Sequence, residues 1–254
     1  FALVHSAFGL ASVLQAQGND QAATAVVQMV RDYGRQIGNE PIQHTIAAFQ
    51  AHLAAKQGRI DEAYAWAVGA NRTVQTLPMP HFFAAGIAIA AILVQVGTAA
   101  SLAEAEQMLD HLDQFLNATH NQRFLIDVLI LKAFVCNARQ RETEALAALA
   151  AAVAFAQPGS MIRPFLDAGP ALDVLLPQLR PDVGLADFVA QIRSERGRAS
   201  RAAGRALVPN TANGAGGSAA LPVEMVAQPQ HPDLIELLTL RELQVLRLLA
   251  VRLT

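Results

Sequence analysis

The sequence predicts an all-α fold, an α-solenoid of about four stacked helix pairs followed by short capping helices. Turns of similar composition recur at intervals of roughly 40 residues, a period that suits repeats of two helices. In the clearest turn, residues 57–63, Gly58 can end one helix, and Asp61 and Glu62 place acidic charge in the first turn of the next. Related turns lie at residues 17–20, 96–102 and 140–145. Because no segment alternates apolar and polar residues over a useful length, no β-sheet is expected.

Apolar residues three or four positions apart give each predicted helix one stripe for burial. In the first pair the two stripes consist of Leu3, Ala7, Leu10 and Leu14, then Val26, Val30, Tyr33 and Ile37. The second pair covers residues 42–67, the third 82–116 and the fourth 124–153. Pro78 and Pro80 separate the second pair from the third, because proline stops a helix or begins a new one. The array is expected to end at Pro158 and Gly159.

Beyond the array the composition of the chain changes twice. Short helices near Leu172 and from Leu185 to Arg196 are predicted to cap the open end of the solenoid, which gives a helical domain over residues 1–196. Gly, Ala, Ser, Pro and Asn dominate residues 197–233, and we expect a flexible linker there. Residues 234–254 begin another helical unit, in which Thr239 and Glu242 have the spacing of a capping box.

The composition indicates a large core and no general attraction to nucleic acid or to membranes. Hydrophobic residues make up 53% of the chain, charged residues make up 16%, and the formal net charge is -2. The longest apolar run, residues 82–94, is too short for a membrane-spanning helix, so no membrane partner is expected. The single cysteine, Cys136, suggests a reducing compartment, and we expect the cytoplasm.

The sequence offers no set of residues that predicts catalysis. It has no paired carboxylates and no nucleophile with a base at a suitable spacing, so an enzyme is not expected. The only lysines are Lys56 and Lys132, and neither follows a glycine, which excludes a phosphate-binding loop of the Walker type from this chain. The seven histidines lack the spacing of metal ligands. We therefore expect neither a metal nor a cofactor in this chain.

Polar residues on two predicted helices are candidates for a ligand or partner groove. Asp127 interrupts an apolar run, Arg123 lies four residues earlier, and Lys132 follows on the same helix. These residues suit either a half-exposed ion pair or polar contacts to a ligand on the inner wall of the superhelix. A second stripe, small and polar, suits either close helix packing or a groove floor, and it consists of Gln43, Ala47, Gln50 and Ala54. We assign the groove to Gln43, Gln50, Arg123, Asp127 and Lys132.

Five arginines lie close together near the predicted start of the linker: Arg193, Arg196, Arg198, Arg201 and Arg205. In a solvated linker they need no function. The alternative is nonspecific attraction to nucleic-acid phosphates, which would make DNA affinity depend steeply on salt.

Residues 238–254 resemble the beginning of a LuxR-type helix-turn-helix domain, whose first helix typically reads Leu-Thr-x-Arg-Glu-x-x-Val-Leu-x-Leu-Leu-Ala. The matching residues are Leu238, Thr239, Arg241, Glu242, Val245, Leu246, Leu248, Leu249 and Ala250. Arg252 stands where that family usually has glycine. The block Arg163-Pro164-Phe165-Leu166-Asp167, which follows the helical array, resembles the large ATP-dependent LuxR regulators of the maltose-activator-like group.

In that group a nucleotide-binding domain precedes a helical superhelix that senses an inducer, and a C-terminal domain binds DNA. The resemblance implies that this chain is the sensor superhelix, its linker and the first helix of the DNA-binding domain. ATP binding would belong to an N-terminal part outside this chain, and DNA contact would need the complete C-terminal domain. An inducer or a partner protein would bind in the superhelical groove and control self-association or DNA binding.

The helix pairs also resemble tetratricopeptide repeats, which share their small residues and turn positions. They differ in having a period longer than about 34 residues and in lacking the Trp-x-x-Leu-Gly signature. An alternative function is therefore a tetratricopeptide-like scaffold for protein–protein interaction with no role in transcription.

Overall fold

The structure, a computed structural model of the chain, is described over residues 2–70 and 83–206. Within these ranges it contains eleven α-helices and no strand, so the predicted all-α repeat fold is confirmed. The eight longer helices of the array are α1 (Ala2–Ala16), α2 (Asp20–Ile37), α3 (Glu40–Lys56), α4 (Ile60–Gly69), α5 (Ala85–Val96), α6 (Ala99–Ala118), α7 (Gln122–Ala138) and α8 (Glu142–Ala156). Three more follow: α9 (Arg163–Asp167), α10 (Ala171–Leu175) and α11 (Ala186–Ala206).

The helices pack as consecutive pairs in two layers. Each helix of the array contacts the next one along the chain, from α1 with α2 to α7 with α8. The first helices of the pairs also contact one another, α1 with α3, α3 with α5, α5 with α7, and α7 with α9. The odd-numbered helices α1 to α9 therefore form one continuous layer, which we call the first-helix layer.

Side-chain caps and left-handed residues set the turns between helices. The side chain of Asn19 accepts a hydrogen bond from the amide of Ala22, and Asn39 accepts one from Ile42, both at 3.1 Å. Gly38 ends α2 at φ 62°, where a side chain on any other residue would cost conformational energy. These local signals explain why α2 begins and ends at the predicted residues, Asp20 and Ile37.

The buried faces of the first two helices agree with the predicted stripes at Ala7, Val26 and Val30 but differ from them at other positions. In α1 the buried residues include Val4 and Phe8, whereas Leu3 is 40% exposed. In α2, Val27 is buried, whereas Tyr33 and Ile37 are exposed. The prediction followed the large apolar residues, but the buried faces are those that contact the neighbouring helices, and alanine lets those helices approach closely.

Two clusters of buried side chains form the core. The smaller one joins α1, α2 and α3, where the rings of Phe8 and Phe49 stack with their centroids 4.0 Å apart. The larger one runs from α3 to α11 and includes Phe165, which is fully buried. Among the described helices, none has both the length and the hydropathy that a membrane crossing requires.

The end of the array is covered by α9, α10 and α11, with Leu172, Leu175 and Ile192 fully buried. The sequence predicts a linker from residue 197, but residues 197–206 continue α11 to Ala206. The reason is composition, because arginine and alanine are strong helix formers and no proline interrupts them. The rest of the predicted linker, and the segment 234–254 with Thr239 and Glu242, lie outside the described residues.

Candidate functional site

The five candidate residues lie in three different places. Gln43 and Gln50 line a cleft between α2, α3 and α4. Arg123 and Asp127 lie near the start of α7, within electrostatic range of α3 and α9. Lys132, further along α7, contacts α6. The structure therefore replaces the single predicted groove with three separate surfaces.

Arg123 and Asp127 form the predicted ion pair, with Arg123 Nη1 2.6 Å from Asp127 Oδ2. The side chain of Asp127 is 24% exposed and that of Arg123 is 49% exposed. Burial raises the pKa of the Asp127 carboxyl above its ordinary 3.8, although the Arg123 guanidinium acts in the opposite direction. The surroundings of Asp127 thus only partly stabilise its negative charge.

Three residues that the sequence did not single out are linked to this pair, or to one another, by electrostatic interactions. Lys56 of α3 and Asp167 of α9 both influence the pKa of Asp127 and also that of His52 on α3. Burial, reinforced by the Lys56 charge, lowers the pKa of His52 to about 3, against the opposing effect of Asp167. We call His52, Lys56, Arg123, Asp127 and Asp167 the first-helix cluster.

Aromatic rings explain why His52 is held neutral. Its imidazole lies 5.8 Å from the ring of Phe83 and 6.2 Å from that of Phe49, measured between centroids. A positive charge in these surroundings would lose much of its hydration. One sequence signal could have found the cluster, namely polar residues four positions apart near one end of α3, α7 and α9, as in His52 and Lys56.

Lys132 is engaged by carboxylates of α6. Its Nζ atom lies 2.9 Å from Asp110 Oδ1 and 2.8 Å from Asp113 Oδ2. Burial alone would lower the pKa of Lys132, but the two carboxylates more than offset it and raise the pKa above its ordinary 10.5. These two ion pairs hold α6 against α7. A structural role therefore explains the polar contacts of Lys132.

The cleft that contains Gln43 and Gln50 has a volume of about 410 Å³. We call it the α2–α4 cleft, and its lining residues are Arg31, Arg35, Gln43, Ile46, Ala47, Gln50, Ala51, Glu62 and Trp66. Part of the predicted small polar stripe, Ala47 with the two glutamines, faces this cleft. Its last member, Ala54, is fully buried and serves helix packing.

Close contact between α2 and α3 at Gly34 adjoins the cleft. Gly34 lies so near α3 that a Cβ atom there would be 2.8 Å from Ile46 Cδ1. Gln43 Nε2 donates a hydrogen bond to the carbonyl oxygen of Gly34 at 3.2 Å. Gly34 lies between Arg31 and Arg35 on α2, and both arginines line the cleft.

The other candidate features have structural partners. Within residues 2–70 and 83–206, no group of three or more His, Cys, Asp or Glu residues is placed to hold a metal ion. Two arginines of the basic run are engaged in the fold, because Arg193 and Arg196 donate hydrogen bonds to backbone carbonyl oxygens of the capping segment. The prediction that they are solvated linker residues is wrong.

The stacked helix pairs define a helical repeat domain of the tetratricopeptide-like class. The family model of the MalT-like TPR region matches residues 1–182, and the chain belongs to that family. Comparisons with curated proteins and with solved structures found no match. The resemblance to maltose-activator-like regulators is thus confirmed for the helical repeat region.

Proposed function

We propose that this chain is the regulatory domain of a LuxR-type transcription regulator, which binds an inducer or a partner protein and controls assembly or DNA binding. The observation that carries the proposal is membership in the MalT-like TPR family over residues 1–182. The LuxR-like run at residues 238–254 supports the link to transcription. The domain itself would act in the cytoplasm, without catalysis and without a cofactor of its own.

The first-helix cluster supports a sensing role. Buried or half-buried ionisable groups are frequent where proteins bind ligands, because the binding partner supplies the compensation that the free protein lacks. Asp127 offers an acceptor to a hydroxyl or cationic group, and Arg123 offers donors at the same place. A ligand that satisfies both residues would be favoured over water.

The end of the array provides a physical connection from the cluster to α11. Asp167 belongs to the cluster and also ends α9. Arg196 of α11 donates hydrogen bonds to the carbonyl oxygens of Phe165 and Gly169, which lie in α9 and just after it. A ligand that shifts Asp167 would therefore bias the position of α11, as two-state regulation requires.

A thermal-shift screen of the 254-residue chain against a metabolite library, with the mass in solution measured in parallel, tests the proposal. A ligand of the folded state raises the melting temperature with its concentration. We expect a compound that does so and changes the oligomeric state, and we expect Asp127→Asn to lose this response. A response that Asp127→Asn retains in full would remove the first-helix cluster from the ligand site.

The alternative is a tetratricopeptide-like scaffold unrelated to transcription. It is favoured by an exposed apolar stripe on α2, in which Met29 is 40%, Tyr33 38% and Ile37 42% exposed. Changing all three to serine would abolish capture of a partner protein if the scaffold function holds. DNA binding of the full-length parent protein that responds to an inducer and survives this change would instead favour regulation by a small molecule.

A further inference from the structure

We infer that the α2–α4 cleft is a binding site for a small molecule with a flat apolar or aromatic ring and one anionic oxygen group, carboxylate or phosphate. The inference deepens the proposed function, on which it rests, by naming a second ligand surface and a ligand class. The first-helix cluster plays no part in it.

The charge of the cleft argues for an anion. Glu62 is paired with Arg59, and Arg35 lies 3.3 Å from Asp32 in an exposed pair. Arg31 is half-buried and forms no salt bridge or hydrogen bond with any residue that the structure describes. The cleft therefore carries one positive charge that the fold does not neutralise.

The positions of Arg31 and Arg35 on α2 allow this charge to bind an anionic group. Arg31 and Arg35 are one helical turn apart, so both guanidinium groups can approach the same anionic group. Arg35 is available for this because its exposed pair with Asp32 is of a kind that contributes little stability. Guanidinium groups match the planar arrangement of carboxylate and phosphate oxygens, which favours these anions over a simple halide.

The walls and floor argue for a flat ring. Trp66 of α4 is half-buried and lines one side, and an indole face offers a surface for stacking. Ala47 and Ala51 form part of the floor, and their small side chains leave space above α3. Gln50 makes no hydrogen bond to another described residue, so its amide is free to bind a polar substituent.

The size of the cleft fits the proposed ligand. Its volume of about 410 Å³ lies within the range of small-molecule sites, roughly 300–1,000 Å³. A single ring with one anionic group fills part of this space and leaves room for further substituents.

The single tryptophan of the chain makes the test direct, because Trp66 reports occupancy of the cleft by its fluorescence. The probes are benzoate, phenyl phosphate and benzamide, titrated into the 254-residue chain at constant ionic strength. Benzamide has the same ring without the charge. We expect saturable changes with at least one of the two anions and binding of benzamide about tenfold weaker or less. Which anion binds more tightly identifies the oxygen group.

Two variants locate the site, and one serves as a matched control. Arg31→Gln should weaken anion binding by about tenfold or more, because it removes a charged hydrogen-bond donor. Gln50→Glu should abolish binding, because it places a carboxylate beside the ligand. Arg198→Gln changes an arginine that is 66% exposed on α11 and should leave binding unchanged. Circular dichroism checks that each variant is folded.

Three results would overturn the inference: no saturable binding of either anion, equal binding of benzamide, or equal affinities of Arg31→Gln and Arg198→Gln. The proposed function fails separately. A metabolite that raises the melting temperature of the wild type and of Arg31→Gln alike would support the regulatory domain and refute the cleft as its ligand site.

Discussion

Arg196 of α11 donates a hydrogen bond to the carbonyl oxygen of Gly169, with Nη2 and O 2.8 Å apart. The same guanidinium lies 2.8 Å from Asp173 Oδ1, through Nε, and its side chain is only 10% exposed. A single side chain thus joins α11 to the residues around α9 and α10. A planar group with five donors suits this task, because it can reach several acceptors at once.

Replacing Arg196 by methionine should lower the free energy of unfolding by about 2–4 kcal/mol, because backbone carbonyls and a carboxylate would lose a buried charged donor. Urea unfolding measures the change. Arg198→Met is the matched control, and at 66% exposure it should change stability by less than about 0.5 kcal/mol. Arg196→Lys should recover only part of the loss, because an ammonium group lacks the planar fork. Equal stabilities of the two methionine variants would contradict the role of Arg196.

The pKa of His52 predicts that the protein loses stability in mild acid. The unfolded chain binds a proton at His52 as the pH falls through 6.5, whereas the folded protein does not until the pH nears about 3. Protonation therefore favours the unfolded state across that window, by about 1–2 kcal/mol between pH 6.5 and pH 5. His52→Phe keeps a ring against Phe83 and should flatten this part of the stability profile. The exposed His111, changed to Gln, is the control, and its profile should follow the wild type.

The raised pKa of Asp127 predicts that the stability of the protein depends on pH in the opposite direction. Its folded-state pKa lies above 3.8, so the charged form is disfavoured in the folded protein and its cost appears as the pH rises through that value. Asp127→Asn should be at least as stable as the wild type at pH 7, and its advantage should shrink below pH 4. Urea unfolding at pH 7 and at pH 3.5 measures both. A large loss of stability at pH 7 would show that the ion pair with Arg123 outweighs burial.

The two ion pairs of Lys132 predict that part of the stability of the protein depends on salt concentration. Lys132→Met keeps the apolar stem but leaves Asp110 and Asp113 without their cation, and we expect a loss of about 1 kcal/mol, because the group is partly exposed. The difference between variant and wild type should decrease in about 1 M salt, where screening acts over roughly 3 Å. Arg35→Met, which removes an exposed pair, should cost almost nothing. A loss that does not change with salt would indicate that packing of the stem dominates.

The helix boundaries could be predicted because they depend on local residues. A glycine with positive φ and an asparagine that caps the next helix act within one turn, and both are visible in the sequence. The buried faces could not be predicted to the same degree. Leu3 and Val4 are both apolar, and only the position of the neighbouring helices decides that Val4 is buried and Leu3 is exposed.

The residues of the candidate sites also divide into those that the local sequence predicts and those that only the folded structure brings together. Asp127 and Arg123 were predictable as a pair because they are four residues apart on one helix. The other members of the cluster, His52, Lys56 and Asp167, come from other helices and are separated from Asp127 by many residues. For Arg196 the sequence was misleading. It belongs to a run of arginines that suggests solvent exposure. Its partners in the capping segment exist only in the folded protein.

The uninterrupted course of α11 has a mechanical consequence. From Arg196 the helix continues to Ala206. At 1.5 Å per residue this stretch is about 15 Å long, so a tilt of about 10° at the guanidinium moves its far end by about 2–3 Å. A small rotation of α11 about Arg196 would therefore displace Ala206 by a distance about as wide as an atom.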